Sequence, residues 1–96
     1  MSMNAATTVA IEEGIWSRAI KPRSGDLPVA VAQGWLRVKL APRDIRRAEA
    51  LTRRAVSGEL SPGEADQLAA YRRAGRLLEL LQAKARRSIQ RANAPA

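Results

Sequence analysis

Gly58–Arg91 reads GELSPGEADQLAAYRRAGRLLELLQAKARRSIQR, and the fold turns on it. Ser61 is an N-cap residue type, and Pro62 occupies the first helical position, where its missing N–H costs nothing. Glu64 lies three residues after Ser61, which completes a Ser-x-x-Glu capping box. Gly58 suits the left-handed residue that ends a preceding helix, with Leu60 as the apolar residue just beyond it. The join between two helices is the best-defined point in the chain.

Beyond the first turn, the one breaker before Arg91 is Gly75. At about 100° per residue, Tyr71, Ala74, Gly75, Leu78, Leu81, Ala85 and Ile89 share a face. Arg72, Arg76, Glu79, Arg86, Arg87 and Gln90 crowd the other. Leu77 sits at the edge of the apolar arc and Leu80 well inside the polar side, so the arc widens at Leu77–Leu81. About thirty residues at ~1.5 Å each make a helix of about 45 Å, against a diameter of roughly 32 Å for a compact domain of this size. Such a helix bends at Gly75, projects at its end, or packs on a second chain. Leu77, Leu78, Leu80 and Leu81, with Trp35, are the candidate partner-interface residues; an ordinary intramolecular core is the competing reading.

Upstream, Pro42 opens a second helix, PRDIRRAEALTRRAVSG. Ile45, Ala48, Leu51, Thr52, Ala55 and Val56 form its apolar face, and Arg43, Arg46, Arg47, Arg53 and Arg54 its back. The short link Gly58–Leu60 folds the two helices into an αα-hairpin, 42–57 against 61–91. The five arginines, with Arg86 and Arg87, are the candidate surface for nucleic acid or an acidic partner. Only Asp44, Glu49 and Glu59 interrupt the positive field near the second helix.

Earlier still, Pro28 opens a short helix, PVAVAQGW, with Asp26 near its start and Gly34 near its end. Leu36, Val38 and Leu40 then alternate with Arg37 and Lys39, which predicts an extended segment lying across the helices or pairing with its copy in a second chain. KPRSGDL, Lys21–Leu27, is a turn; one glycine without a following Gly-Lys-Ser/Thr makes no phosphate loop. In Ala10–Ile20, Ile11, Ile15 and Ala19 have helical spacing that Gly14 weakens, giving a short helix or an extended arm tied down by Trp16. Residues 1–10 and 92–96 are expected to be disordered tails around a single helical domain, 11–91. The fold class is all-α: an αα-hairpin with a long C-terminal helix, plus a short helix and an N-terminal arm.

Composition bounds the function. Ninety-six residues make one domain at most, with a modest core. The chain has no cysteine and no histidine, which removes disulfides, thiolate metal sites and the commonest general base. Its acids are scattered among arginines, so ion pairing is their default role, and Ser61 and Glu64 are explained by the capping box. No catalytic set assembles; the chain reads as no enzyme, with no cofactor and no metal. No apolar run is long enough to span a membrane. The opening MSMNAATTVA lacks the basic start and apolar core of a secretory signal, so a cytoplasmic protein is expected. Seventeen basic against nine acidic residues give a net charge of +8. That balance suits nucleic acid, an acidic protein or a membrane surface, or simply keeps the chain in solution.

Gly58, Leu60, Ser61, Pro62, Glu64, Leu68, Tyr71, Gly75, Leu77, Leu78, Leu80, Leu81, Lys84, Ala85 and Arg86 together resemble a run in short uncharacterised bacterial helical proteins: Gly-x-Leu-Ser/Thr-Pro-x-Glu, Leu-x-x-Tyr, Gly-x-Leu-Leu-x-Leu-Leu-x-x-Lys-Ala-Arg. A looser Ser-Arg-x-Ile-x-Pro-like piece falls at Ser17–Pro22, so the likeness covers most of residues 15–89. Gly63 departs from the acidic residue such proteins often carry there, which weakens the helix start, and arginines are more numerous here. The resemblance implies an antitoxin-type partner of another protein. Function is therefore expected to be that of a non-enzymatic protein-interaction module, self-associating or antitoxin-like. The alternative is a basic, largely sequence-nonspecific nucleic-acid binder. It would work through phosphate contacts, because helix-turn-helix, zinc-ligand and RNA-stacking signatures are missing from the sequence.

Overall fold

A computed structural model describes residues 5–95. It is all-helical: α1 (Ala5–Ile20), α2 (Val29–Leu36), α3 (Pro42–Val56) and α4 (Pro62–Ala92), with no strand among the described residues. Contacts divide the chain into two compact units where one domain, 11–91, was expected. The first is Met1–Val38 with Arg76–Ala96, and the second is Lys39–Gly75. The boundary falls inside α4, which runs unbroken through Gly75 for 31 residues. Its length has a simple origin: the first part packs in one unit and the second part in the other.

The second unit is the αα-hairpin. Ser57 caps α3, and Gly58 follows at φ +71°. Glu59 N–H donates to Arg54 O at 2.9 Å and Gly58 N–H to Ala55 O at 3.1 Å, the paired bonds of a Schellman turn. The capping box forms as the sequence predicts. Glu64 N–H donates to Ser61 Oγ at 3.2 Å, and Ser61 N–H donates back to Glu64 Oε1 at 3.1 Å.

The seam between α3 and α4 departs from the helical-wheel expectation. Asp44, Arg47, Leu51 and Arg54 face α4, a spacing of three, four and three that makes one stripe. Tyr71 Oη donates to Asp44 Oδ1 at 2.8 Å. Arg47 Nη2 donates to Gln67 Oε1 at 3.0 Å. Arg54 Nε stands 3.0 Å from Glu64 Oε2, and Arg47 Nη2 stands 3.7 Å from the same oxygen. The Arg54 Nε contact is an ion pair whose N–H is not aligned as a hydrogen bond. Leu51 and Leu68 are buried beside this polar line. Arg47 and Arg54 are thus not on a bare back. Glu64, oriented by its bond to Ser61, draws both into the seam and leaves Ile45 and Val56 exposed.

In the first unit, α1 begins at Ala5, so residues 5–10 are helical where a disordered tail was expected; residues 1–4 lie outside the described part. At the other end, α4 stops at Ala92 and residues 93–95 continue as a turn without helix; residue 96 is outside the described part. The N-terminal arm is a full helix. Its buried apolar residue is Ile20, whereas Trp16, the expected attachment, keeps 40 % of its surface exposed. α2 runs past Gly34 to Leu36, and Arg37 and Val38 close it with bonds to Gly34 O and Trp35 O. The stretch after it forms no strand. Gln82 Nε2 donates to Trp35 O at 3.3 Å and Val38 O at 2.8 Å, which ties this stretch to α4. Ala32 and Ala85 are wholly buried: small side chains let helices approach closely.

Candidate functional site

The loop from Lys21 to Pro28 builds one wall of a groove on the first unit. Lys21 takes φ +55°, reversing the chain after α1, and Ser24 N–H donates to Lys21 O at 2.9 Å. Three contacts then fix the loop to α4. Lys84 Nζ donates to Ile20 O at 2.7 Å and stands 2.9 Å from Asp26 Oδ1. Leu27 N–H donates to Ser88 Oγ at 3.2 Å, and the Ser88 hydroxyl donates to Lys84 O at 2.8 Å. Gly25 lies so close to α4 that a Cβ there would sit 2.7 Å from Arg87 O. The Lys84 ammonium beside Asp26 holds that carboxyl below its usual range, chiefly through their hydrogen bond.

These contacts set Pro22 and Arg23 opposite a stripe of α4. The groove between them is open to solvent, and its two overlapping halves measure about 430 and 460 Å³. Leu80 and Ala83 form its floor with Pro22; Arg86, Arg87 and Gln90 continue it toward the helix end. Arg23, Arg86 and Arg87 are exposed, and among the described residues no hydrogen bond or ion pair holds any of their side chains. The acid on the lining, Glu79, is taken by Arg76 at 3.0 Å. The groove is positively charged around an apolar centre, shallow rather than enclosed, and suited to a macromolecular surface more than to a small ligand.

The expected interface residues Leu77, Leu78, Leu80, Leu81 and Trp35 are all half-buried and all belong to the first unit. Leu80 alone among them lines the groove. The expected basic residues separate: Arg86 and Arg87 are in the first unit, while Arg43, Arg46, Arg47, Arg53 and Arg54 are in the second. With Arg47 and Arg54 engaged in the seam, Arg43, Arg46 and Arg53 remain with no hydrogen bond or ion pair on their side chains among the described residues. A second, more apolar hollow of about 440 Å³ beside α3 is lined by Leu40, Ile45, Ala48 and Thr52 with Glu49 and Arg53. Sequence reasoning missed Arg23, which it had placed in a plain turn, and the structural role of Lys84. The available signal was Ser88, a hydroxyl on the side of α4 otherwise occupied by Leu81 and Ala85.

Among the described residues, no group of three or more His, Cys, Asp or Glu side chains converges as a metal site, and no helix is long and apolar enough to cross a membrane. Compared with known proteins, the chain matches no family model, no curated protein and no solved structure.

Proposed function

We propose that this chain is a non-enzymatic, cytoplasmic protein-interaction module whose partner is an acidic protein. The observation that carries the reading is the balance of apolar surface. Among the described residues five apolar side chains are buried: Ile20, Ala32, Leu51, Leu68 and Ala85. Eight large ones are exposed, three of them, Ile11, Ile15 and Trp16, on α1. Apolar surface left out of so small a core is the surface a partner covers. The net charge of +8 sets two copies against one another and favours a partner of opposite sign. An antitoxin-type pairing is the form of partnership that the sequence resemblance implies.

A second reading, a sequence-nonspecific nucleic-acid binder, draws on Arg43, Arg46 and Arg53, whose side chains have no acidic partner among the described residues. Two assays separate the readings. Affinity capture with the tagged chain should return one acidic protein in stoichiometric amount. Duplex DNA should bind weakly at physiological salt. Submicromolar DNA binding whose log affinity falls with log salt at a slope of about −3 would favour the second reading, because these three arginines would then neutralise about three phosphates.

A further inference from the structure

We propose that the groove between Pro22–Arg23 and α4 receives an acidic amphipathic helix of the partner protein. This rests on the interaction-module reading and adds where the partner docks and what it presents. Three guanidinium groups, those of Arg23, Arg86 and Arg87, flank the groove without an acid of their own among the described residues. Each offers a planar fork of donors that matches a carboxylate, and Glu79, the acid on the lining, is paired with Arg76 at 3.0 Å. Between the charges lie Pro22, Leu80 and Ala83. A phosphate backbone has nothing apolar to set on that floor, whereas a helix with leucines on one side and carboxylates beside them fills both parts.

The dimensions agree. The α4 wall from Arg76 to Gln90 is about 21 Å long at ~1.5 Å per residue, room for a helix of about fourteen residues laid alongside. The opposite wall is prebuilt, since Lys84, Ser88 and the close approach of Gly25 fix the loop before any partner arrives. Little backbone ordering of the loop is left to oppose binding.

The test uses the full chain and a fluorescein-labelled helical peptide of about fourteen residues, with a leucine stripe flanked by glutamates, followed by anisotropy at physiological salt. The double variant Arg23→Glu/Arg86→Glu should weaken binding at least tenfold, and Ala83→Glu, which puts a charge on the floor, should do the same. Arg46→Glu/Arg53→Glu makes the same change in net charge on the second unit and should stay within twofold of wild type. Arg23→Gln/Arg86→Gln, checked for an unchanged circular dichroism spectrum, guards against loss of fold and should still weaken binding severalfold. Equal losses in the two Glu double variants would reduce the effect to bulk charge and overturn the proposal. So would absence of peptide binding, a wild-type chain that dimerises through the groove, or duplex DNA binding more tightly than the peptide through Arg23 and Arg86. If the native partner is captured equally well by Arg23→Glu/Arg86→Glu, the groove assignment falls while the interaction-module reading stands. If wild type captures no protein at all, that reading falls too.

Discussion

Lys84 donates a hydrogen bond to the main-chain oxygen of Ile20 across 2.7 Å, joining α4 to the last carbonyl of α1. Its side chain is only 12 % exposed, and it also meets Asp26. The lysine thus satisfies a carbonyl that the helix itself leaves unpaired. Lys84→Met keeps most of the stem and removes the donor. It should cost about 1–3 kcal/mol, because Ile20 O is left without its partner. A thermal melt checks this: each kcal/mol shifts the midpoint by roughly 4–8 °C in a domain of this size.

Gly25 tolerates no side chain. A Cβ there would lie 2.7 Å from Arg87 O and 2.8 Å from Arg87 C, both backbone atoms that cannot swing aside. Gly25→Ala should lose about 1–3 kcal/mol through forced displacement of the loop. Gly75→Ala is the contrasting case, since a Cβ meets nothing within 4 Å in the middle of α4. It should gain about 0.5–1 kcal/mol from the lower backbone freedom of alanine in the unfolded chain. Denaturant titrations of both variants should move in opposite directions.

The hairpin link rests on two local devices. Ser61→Ala removes the acceptor for Glu64 N–H and should cost about 1 kcal/mol. Gly58→Val forces a branched residue to φ +71° and should cost about 1–2 kcal/mol. Unchanged melting temperatures in both variants would contradict the capped junction.

Acid should weaken both units. Bonding to the Ser61 backbone N–H, aided by Arg54, holds Glu64 below the usual carboxylate range, and the hydrogen bond from Lys84 does the same for Asp26. A depressed folded value means the stabilisation is complete above the unfolded pKa, near pH 4, and is lost as pH falls through the folded one. Stability should be flat from about pH 8 to 5 and decline below about pH 4. Asp26→Asn/Glu64→Gln should flatten that decline. Tyr71 has the opposite sign. Its bond to Asp44 raises its pKa, so its contribution is present below about pH 10 and disappears as pH rises beyond. Unfolding curves against pH for wild type, the double variant and Tyr71→Phe test each part.

The hairpin junction was legible in the sequence because its chemistry is local: Gly58, Ser61, Pro62 and Glu64 interact within a few residues of one another. The sides of α3 were less so. Sorting the helix by polarity put Arg47 and Arg54 on the back, although at about 100° per residue they stand only about 40° and 60° from Leu51. Such sorting could not see that α4 presents Glu64 and Gln67 to that edge of the helix, where paired charges serve as well as apolar contact. The groove was hidden for a related reason. Arg23 gains a role only because Gly25, Lys84 and Ser88 bring its loop to α4, and the contacts that do so join residues more than sixty positions apart. No spacing pattern records a meeting of that kind. Trp16 drew attention by its size, yet Ile20, the last residue of α1, is the buried one.

The mass of the native particle bears on the interaction reading with the fewest intermediate steps. Light scattering on the chain isolated from its own cells at physiological salt should give a species well above the 10.4 kDa of one copy, containing an acidic protein in stoichiometric amount. Leu80→Glu and Ile15→Glu should shift material back toward 10.4 kDa with helix content retained. A wild-type particle of 10.4 kDa carrying no second protein, indifferent to both substitutions, would contradict the interaction-module reading.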